Sequence, residues 1–528
     1  MRWLVALACC TACGDSSTAP ISFGSIGPLS SDAGKGGFRF GVATAATQIE
    51  DMNPNTDWYV WTEPTAQGGL GKDTFVGDAV DGFSQDLADV GLIADMGLDS
   101  YRFSIEWARI EPQKGVIDET AIAHYRAELQ ALHDMGIRPL VTVLHFSVPV
   151  WVGDPRAISC PDGPTDTNLC GFGSAGGPQI ILAAQAHAVL LAQRFGDLVD
   201  EWGTVNEPIN YLIASYGAGT FPPGKGLVFD LPSLVAVLRD YLTIHAAIYT
   251  AIKQNDTIDA DGDGIAASVG FSMSVADWEP ARGNKPSTDP DDIAARDRLV
   301  YIFHYLWVDA VMQGGLDTDF DGTIDEPHPE WQGTVDWLGL QYYLRGGVTS
   351  APAAFPPPIS LTPCVLGFDL GACLPAPDQT YCVGQMGYEF YPPAIRDLLG
   401  AFAKRYPGLP LVVTESGIAS DVGTRRAEQI VRTLEAIAAA RDSDGVDVRG
   451  FYEWSLTDNF EWAQGFAPHF GLYSVDDATY ARTATEGATV LGAISSSRIV
   501  TKAQRSQYGG TGPLTADTVS TDSFCTVP

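Results

Sequence analysis

Eight short apolar segments, rich in β-branched residues, alternate with longer amphipathic segments along most of this chain. The short segments are typical of buried parallel strands, and the longer ones are typical of helices that pack on such strands. The predicted strands are Phe38 to Ala46, Ser100 to Ile105, Pro139 to His145, Asp200 to Asn206, Ser268 to Met273, Val335 to Tyr343, Pro410 to Glu415 and Gly450 to Ser455. The predicted helices lie near residues 82–96, 119–135, 178–199, 231–254, 290–314, 391–406, 424–440 and 482–496. This number of strand-then-helix units favours a closed (β/α)8 TIM barrel over an open doubly wound sheet, so we predict one α/β domain with long βα loops over residues 37–505.

Polar and aromatic side chains stand where the predicted strands end. They are Gln48, Arg102, His145, Asn206, Glu207, Tyr343, Glu415 and Trp454. In a (β/α)8 barrel these strand ends meet at one face, which is where such enzymes carry their active sites. Each residue alone has a simpler explanation: a histidine or tryptophan can serve packing, and Asn-Glu-Pro can start a helix. Eight such residues on one rim favour a functional site.

Two of these residues are carboxylates in short motifs. Glu207 lies in Thr204-Val-Asn-Glu-Pro208, and Glu415 lies in Val412-Val-Thr-Glu-Ser-Gly417. Cleavage of a glycosidic bond needs two carboxyl groups, one to protonate the leaving oxygen and one to attack or stabilise the anomeric carbon. We therefore expect a glycosidase site.

The charge balance excludes some partners. The chain has a formal net charge of -34 and a pI near 4.3. Binding to nucleic acid or to an anionic membrane depends on clustered lysine and arginine, so neither is expected. A neutral sugar is indifferent to this charge.

The amino terminus is similar to a lipoprotein signal. Arg2 is followed by an apolar stretch from Trp3 to Ala12 and then by Cys13-Gly-Asp-Ser-Ser. The apolar stretch is too short for a membrane span. We predict a signal peptide over residues 1–12, a lipid on Cys13, a flexible tether over residues 13–36 and a carboxy-terminal tail over residues 506–528. The protein would then be exported to a bacterial periplasm or cell surface and anchored to the membrane by its lipid, with simple secretion as the alternative.

Export permits disulfides. If Cys9 and Cys10 leave with the signal and Cys13 carries lipid, six cysteines remain. Cys160 and Cys170 share one Gly/Pro-rich loop and form the expected pair. The other four, Cys364, Cys373, Cys382 and Cys525, allow three connectivities that the sequence does not resolve. No CxxC motif supports a zinc or thioredoxin-type site.

The chain resembles glycoside hydrolase family 1, the β-glucosidase-like retaining enzymes. The matching segments are Phe40-Gly-Val-Ala-Thr-Ala-Ala-Thr-Gln-Ile-Glu50, Tyr101-Arg-Phe-Ser-Ile-Glu-Trp-Ala-Arg-Ile110, Thr204-Val-Asn-Glu-Pro208, Thr414-Glu-Ser-Gly417 and Trp454-Ser-Leu-Thr-Asp-Asn-Phe-Glu-Trp462. They occur in the family's order and cover roughly residues 37–500. The resemblance implies a retaining exo-β-glycosidase without a catalytic cofactor, acting on a small β-glycoside or oligosaccharide.

The resemblance also implies roles for single residues. Glu207 matches the family's acid/base and Glu415 its nucleophile, while Arg102 and Tyr343 match positions that support the nucleophile. Positions that bind the sugar are matched by Gln48, His145, Asn206, Trp454, Glu461 and Trp462. The departures are Gln341, Phe146 and Ser416, where the family usually has Asn, Trp and Asn. They bear on substrate preference, because no carboxylate is lost.

Two acidic runs are not family features. They contain Asp259, Asp261 and Asp263 in one loop, and Asp317, Asp319, Asp321 and Asp325 in another. Both resemble the start of a calcium loop, although neither has Glu at the twelfth position. The two alternatives are that these loops bind structural calcium or that they are solvated acidic turns. We expect both runs to lie on the bottom face of the barrel as adjacent loops.

Two classes of function follow from this sequence. The first is an exo-acting enzyme that releases terminal β-D-glucosyl residues by double displacement, with β-galactosidase, β-mannosidase or β-xylosidase preference as alternatives. The second is a carbohydrate-binding lipoprotein without turnover. Because the carboxylate pair and its supporting residues are intact, the enzyme is favoured.

Overall fold

Eight parallel strands close into a barrel in this computed structural model. The model describes residues 19–515 apart from residues 52, 158, 365–369, 375–381, 384 and 513. The barrel strands are β1 (Arg39–Ala43), β2 (Ser100–Ser104), β3 (Arg138–Leu144), β4 (Glu201–Asn206), β5 (Ser268–Pro280), β6 (Trp337–Thr349), β7 (Leu411–Ser416) and β8 (Val448–Trp454). Each pairs with its neighbour in sequence, and β8 pairs with β1. The predicted (β/α)8 fold is confirmed.

Helices cover the outside of the strands, which explains why the strands are apolar on both faces. The outer helices are α1 (Asp86–Asp95), α2 (Glu119–Asp134), α3 (Gly177–Phe195), α4 (Leu231–Asn255), α5 (Pro290–Val300, continued by Tyr301–Tyr305 and Leu306–Gln313), α6 (Ala394–Arg405), α7 (Gly423–Asp442) and α8 (Glu486–Ser497). Shorter helical segments are Ala46–Ile49, Asp57–Thr62, Trp107–Ile110, Pro208–Leu212 and Lys502–Tyr508. Two segments are π-helical, Ile213–Ala218 after β4 and Tyr301–Tyr305 within α5.

Helix α4 is long and apolar enough to cross a membrane by length and composition. It belongs to the outer ring of the barrel, where it packs against α3 and half of its apolar stretch is buried. Its apolar character is therefore explained by packing within the domain.

Strands β5 and β6 are longer than the sequence predicts. Each has 13 residues, and beyond the barrel they continue as a two-stranded ribbon in which Trp278 pairs with Gly346 and Pro280 with Val348. The prediction ended these strands at Met273 and Tyr343 because the residues that follow are not uniformly apolar. Short strands at Thr362–Pro363 and Tyr388–Glu389 pair with the extended β6.

The predicted tether is wrong for the part of it that the structure describes. Residues 21–22 pair with residues 499–500 as a short antiparallel sheet, and Phe23 packs on Phe38 with ring centroids 4.5 Å apart. Arg449 donates to the carbonyls of Pro28 and Leu29 at 3.2 and 3.1 Å. Arg39 of β1 also donates to the carbonyl of Gly27 at 3.0 Å, so buried arginines from two barrel strands hold this Gly/Ser-rich segment across the barrel's amino-terminal end.

The predicted tail also begins later than residue 506. Arg432 of α7 donates to the carbonyl of Gly512 at 2.6 Å, and the Thr515 amide donates to Glu428 at 2.9 Å. The chain is therefore packed on α7 up to residue 515. The predicted signal peptide and Cys13 lie outside the described residues, and lipid attachment stays a prediction.

Two disulfides are present among the described residues. Cys160 bonds to Cys170, as predicted, and Cys364 bonds to Cys373, which selects among the three open connectivities. Their Cα atoms lie 5.7 and 4.8 Å apart, within the usual range. Cys525 lies outside the described residues, and the partners of Cys382 and Cys525 stay open.

The packing of the amino-terminal segment yields a stability test. Phe23 is 6% exposed whereas Ile26, three residues later, is 39% exposed. Phe23→Ala should lower the free energy of unfolding by about 3 kcal/mol, because a buried aromatic ring is lost. Ile26→Ala is the matched control and should cost less than about 0.5 kcal/mol. Equal effects in denaturant titrations would mean that the segment behaves as a flexible tether.

Candidate active site

Glu207 is placed by an abrupt change from strand to helix. β4 ends at Asn206, and Glu207 adopts φ 38° and ψ 59° before Pro208 opens a short helix. Its amide donates to the carbonyl of Ser272 on β5 at 2.8 Å. A left-handed backbone is unusual for glutamate, and such strain persists where the surroundings over-determine it. The left-handed conformation of Glu207 points its carboxyl group into the cavity at the carboxy-terminal end of the barrel.

Glu415 lies at the penultimate position of β7. Two residues later, a Cβ on Gly417 would lie 2.0 Å from the carbonyl oxygen of Trp454, so only glycine allows the chain to pass β8 this closely. The Thr-Glu-Ser-Gly motif thus has a steric reason for its glycine.

The Glu415 carboxylate has a cation and a hydroxyl as partners. Arg102 donates to Oε1, and the Tyr343 hydroxyl donates to Oε2 at 2.7 Å. Burial raises the pKa of Glu415, while Arg102 and Tyr343 act in the opposite direction. The net effect is a raised pKa, and Arg102 and Tyr343 are the groups that favour the ionised form of Glu415 against the effect of burial.

The surroundings of Glu207 are different. Asn210 donates to Glu207 Oε2 at 2.7 Å, and no cation pairs with Glu207 among the described residues. Burial, followed by the charge of Glu415, raises the pKa of Glu207 to about 8, and the bonds from Asn210 and Ser274 oppose this shift. Glu207 is therefore protonated at neutral pH in the free protein.

Asn206 is fixed by two donors. Arg102 Nη2 donates to Asn206 Oδ1 at 2.6 Å, and Gln341 Nε2 donates to the same oxygen at 2.8 Å. The Nδ2 group of Asn206 is then oriented as a donor, because both bonds use the carbonyl end of the amide. Gln341, a departure from the family pattern, thus acts on the cavity through Asn206.

The remaining predicted side chains form the far wall of the same cavity. Gln48 donates to the carbonyl of Phe460 at 2.9 Å and to Glu461 at 3.3 Å. The rings of His145 and Trp462 are 6.1 Å apart and nearly parallel. Burial raises the pKa of Glu461 to about 8, with the charges of Glu415 and Glu207 adding to the shift.

Two buried polar atoms in this wall lack a partner within the described part of the chain. They are Gln48 Oε1 and His145 Nδ1. Burial lowers the pKa of His145 well below its usual range, so the ring is neutral. Buried polar atoms are normally hydrogen-bonded, so two orphans beside a cavity indicate a ligand with several hydroxyl groups.

One cavity of about 800 Å³ joins these residues. Among the ten predicted site residues, its lining includes Gln48, His145, Asn206, Glu207, Tyr343, Glu415, Trp454, Glu461 and Trp462. Arg102 lies behind Glu415 and is 1% exposed. The structure thus brings all ten together.

Sequence reasoning missed two residues that bond to Glu207. Asn210 is three residues beyond Glu207 in the same helical turn, a spacing at which side chains meet. Ser274 follows the predicted end of β5, so a longer strand would have brought it to the rim. The other two departures differ in effect: Phe146 lines the cavity, whereas Ser416 points to α7, where Gln429 donates to it at 3.4 Å.

The first acidic run lies at the barrel's amino-terminal end, as predicted. Arg138, the first residue of β3, pairs with Asp261 at 2.6 Å and with Asp263 at 3.3 Å. Carboxylate oxygens also converge between Asp259, Asp261 and Asp200, and between Asp261, Asp263 and Glu201. Asp200 and Glu201 are not part of the predicted acidic run, because Asp200 directly precedes β4 and Glu201 is its first residue.

The second acidic run is not on the bottom face beside the first, so this part of the prediction is wrong. Glu326, which directly follows this run, pairs with Arg239 of α4. Arg239 lies 16 residues, or about 24 Å along the helix, before the last residue of α4. Asp317 accepts a hydrogen bond from Tyr301 at 2.7 Å, and Phe320 reaches the large cavity. The loop folds back along the helices because Phe320 finds an apolar contact there. Asp317, Asp319 and Asp325 converge, Asp321 is not part of that group, and calcium binding stays a prediction for both runs.

A buried carboxyl pair in unequal surroundings, with one member held by a cation, at the mouth of a (β/α)8 barrel is the arrangement that glycoside hydrolysis requires. The model of glycosyl hydrolase family 1 matches residues 31–498, and the chain belongs to this family. A β-galactosidase from Pyrococcus woesei is 30% identical over 498 residues, covering 85% of this chain and 94% of that protein. A coniferin β-glucosidase from Pinus contorta is 28% identical over 481 residues, covering 83% and 87%.

Solved structures of glycosidases have the same fold as this chain. A β-glycosidase from Pyrococcus horikoshii superposes with a TM-score of 0.73 at 27% identity, covering 92% of this chain and 99% of that chain. A β-glucosidase from Thermotoga maritima in complex with deoxynojirimycin gives a TM-score of 0.70 at 24% identity, covering 88% and 98%. The second likeness shows the fold alone. The chain is an enzyme of the β-glycosidase class.

Proposed function

We propose that this enzyme is a retaining exo-β-glycosidase that releases terminal β-D-glucosyl residues. The observation that carries the proposal is the contrast within one cavity between Glu207, buried beside amide and hydroxyl donors, and Glu415, held by Arg102 and Tyr343. Two carboxyl groups whose environments push their pKa values apart can divide the roles of acid and nucleophile between them.

The first step forms a covalent intermediate. Glu415 Oε attacks the anomeric carbon as the glycosidic C–O bond breaks, and Glu207 gives its proton to the departing oxygen. The products are a glycosyl ester on Glu415, a free alcohol and the Glu207 carboxylate. Tyr343 and Arg102 orient Glu415 for attack, since each bonds to a different oxygen.

The second step uses the loss of charge at Glu415. Once esterified, Glu415 no longer adds its charge to the effect of burial, so the pKa of Glu207 falls and its carboxylate can act as a base. It takes a proton from water as the water oxygen attacks the anomeric carbon, and Glu415 leaves as a carboxylate. Two inversions at one carbon give net retention.

The fixed amide of Asn206 supplies a donor for the sugar's 2-hydroxyl. Its carbonyl oxygen is occupied by Arg102 and Gln341, so the Nδ2 group is the end that is free for the sugar. A hydrogen bond to the 2-hydroxyl that strengthens in the transition state contributes to rate and not only to binding.

The nucleophile and the acid can be tested by substitution. Glu415→Gly should remove nearly all turnover, and azide should restore part of it by attacking from the vacated side to give the α-glycosyl azide. Glu207→Ala should reduce kcat/KM far more for alkyl glycosides than for 2,4-dinitrophenyl glycosides, whose leaving groups need no proton. A β-azide from the first variant, or equal losses in the second, would contradict these roles.

The raised pKa of Glu207 predicts the alkaline limb of the pH profile. The acid must be protonated, so kcat/KM for phenyl β-glucoside should fall as pH rises through about 8. Asn210→Ala removes a hydrogen bond that favours the carboxylate, so the limb should move to higher pH. Because Glu461 also has a pKa raised to about 8, Glu461→Gln is the control and should keep the limb. A shift to lower pH in Asn210→Ala would contradict the assignment.

The preference for glucose rests on Glu461 and its partners. Glu461 receives bonds from Gln48 and Trp454 and sits at the end of the wall that would face the sugar's O4 and O6. A site built to bond a hydroxyl discriminates strongly against a sugar that lacks it. The cation in the described lining, Arg345, is closed in a pair with Glu389 at 2.7 and 2.8 Å, so a sugar phosphate finds no partner there.

We therefore expect aryl β-glucoside to be cleaved faster than the xyloside, which lacks the 6-hydroxymethyl group, and faster than glucoside 6-phosphate. Glu461→Ser should weaken transition-state binding of glucoside by about 2 kcal/mol and reduce the preference over xyloside. Glu461→Gln, which keeps the shape, should lose less. Kinetics on gluco-, galacto-, manno- and xylosides would reveal another glycone if one of these is preferred in the unmodified enzyme.

A further inference from the structure

We propose that the leaving-group side of the cavity binds a large apolar aglycone, so that the substrates are β-glycosides of lipid-like alcohols and not oligosaccharides. This proposal rests on the proposed function and names the substrate class of the same site. It starts from the continuity of the cavity, because the space that holds Glu207 and Glu415 extends well beyond the wall assigned to the sugar. Whatever fills that extension is attached to the anomeric oxygen.

The extension lies between two π-helical segments. The segment after β4 contributes Ile213 and Ala214 to the lining, and the segment within α5 contributes Ile302 and Phe303. A π-helical turn is rare and is found mostly at functional sites. Both segments present aliphatic or aromatic side chains to the space between them.

A second wall comes from the ribbon formed by the extended β5 and β6. Trp278 packs edge to face on Phe303, with ring centroids 5.7 Å apart. Leu299, Val348 and Leu361 belong to an apolar cluster that is separate from the main core and packs against both rings. This cluster supports the wall and keeps Trp278 in place beside the cavity.

The cavity also has depth. Leu238 of α4, Leu306 of α5 and Phe320 line its inner end, and Ile213 is 37% exposed at its outer side. A volume of about 800 Å³ is of the size that holds a ligand with a drug-sized body. The glycone wall uses only part of it.

The chemistry of these walls disfavours a second sugar. Each hydroxyl of an added sugar ring would leave water and need a partner, and a buried polar group without one is costly. In the described part of the lining beyond the sugar wall, the charged groups Arg345 and Glu389 are bonded to each other in two places, and the polar residues Thr220 and Gln464 are outnumbered by apolar ones. An apolar aglycone loses nothing by entering and gains from each methylene it buries.

The test compares alkyl β-D-glucosides of increasing length with cellobiose, all below the concentration at which micelles form. Full burial is expected to raise kcat/KM by about fourfold for each methylene, so octyl glucoside should exceed butyl glucoside by at least about tenfold and should exceed cellobiose. A ratio of octyl to butyl near one, or faster cleavage of cellobiose than of octyl glucoside, would overturn the proposal.

Matched variants locate the effect. Ile213→Asn and Phe303→Asn should each reduce the octyl to butyl ratio at least about threefold, while Leu182→Asn, which changes an aliphatic residue 65% exposed on α3, should leave it unchanged. The ratio does not depend on how much of the enzyme is folded. Unchanged ratios in both cavity variants would contradict the proposal.

Cleavage of phenyl β-glucoside distinguishes a failure of the apolar-aglycone proposal from a failure of the proposed function. If it is cleaved but alkyl length has no effect, the apolar aglycone is wrong and the proposed function stands. If neither phenyl nor alkyl glycosides are cleaved, the proposed function fails and this inference fails with it.

Discussion

The guanidinium group of Arg102 is the interaction on which the site depends. It is buried in the barrel and bonds to Glu415 on β7 and to Asn206 on β4, although Arg102 itself belongs to β2. A buried cation is tolerated only when it is paired and hydrogen-bonded, so these three strands must close in one register for the fold to be stable. The register that satisfies Arg102 is also the one that orients the Glu415 carboxylate and the Asn206 amide. Barrel closure and site assembly are therefore the same event.

Rigid strands also allow strained residues at the rim. Phe146, Glu207 and Trp462 all have positive φ, and all three line the cavity. Each such residue costs on the order of 1–3 kcal/mol, which the barrel must supply through packing elsewhere. At each of these three residues the positive φ turns the side chain into the cavity. In a continuing strand, successive side chains would instead alternate between the two faces. Orientation of the site is thus obtained at the expense of local stability.

The sequence predicted those features that depend on local pattern and failed where a distant partner decides. The eight strands and the eight residues at their ends were predicted because apolar runs end at polar motifs, whereas Glu461 and Trp462 were predicted only from the resemblance to family 1. The segment before β1 was misread because its order comes from Arg449, more than four hundred residues away. The second acidic run was misplaced because Phe320 draws the loop toward the cavity. No local signal revealed the ribbon, since pairing with β6 holds Trp278 and Glu279 in strand.

Electrostatics within the cavity differ from those of the whole chain. The chain carries a net charge of -34, yet Glu207 and Glu461 both have pKa values raised to about 8, and Arg102 balances Glu415. At neutral pH the free site is therefore close to neutral, which suits a sugar whose hydroxyls both donate and accept. The charge of Glu415 helps to raise both neighbouring pKa values. In the proposed double displacement an ester replaces that charge, so the pKa of Glu207 falls and its carboxylate can act as a base, while the charge that Glu207 gains by giving up its proton still raises the pKa of Glu461. Ester formation at Glu415 would thus move the negative charge of the carboxyl pair to Glu207 and leave Glu461 beside a charged neighbour.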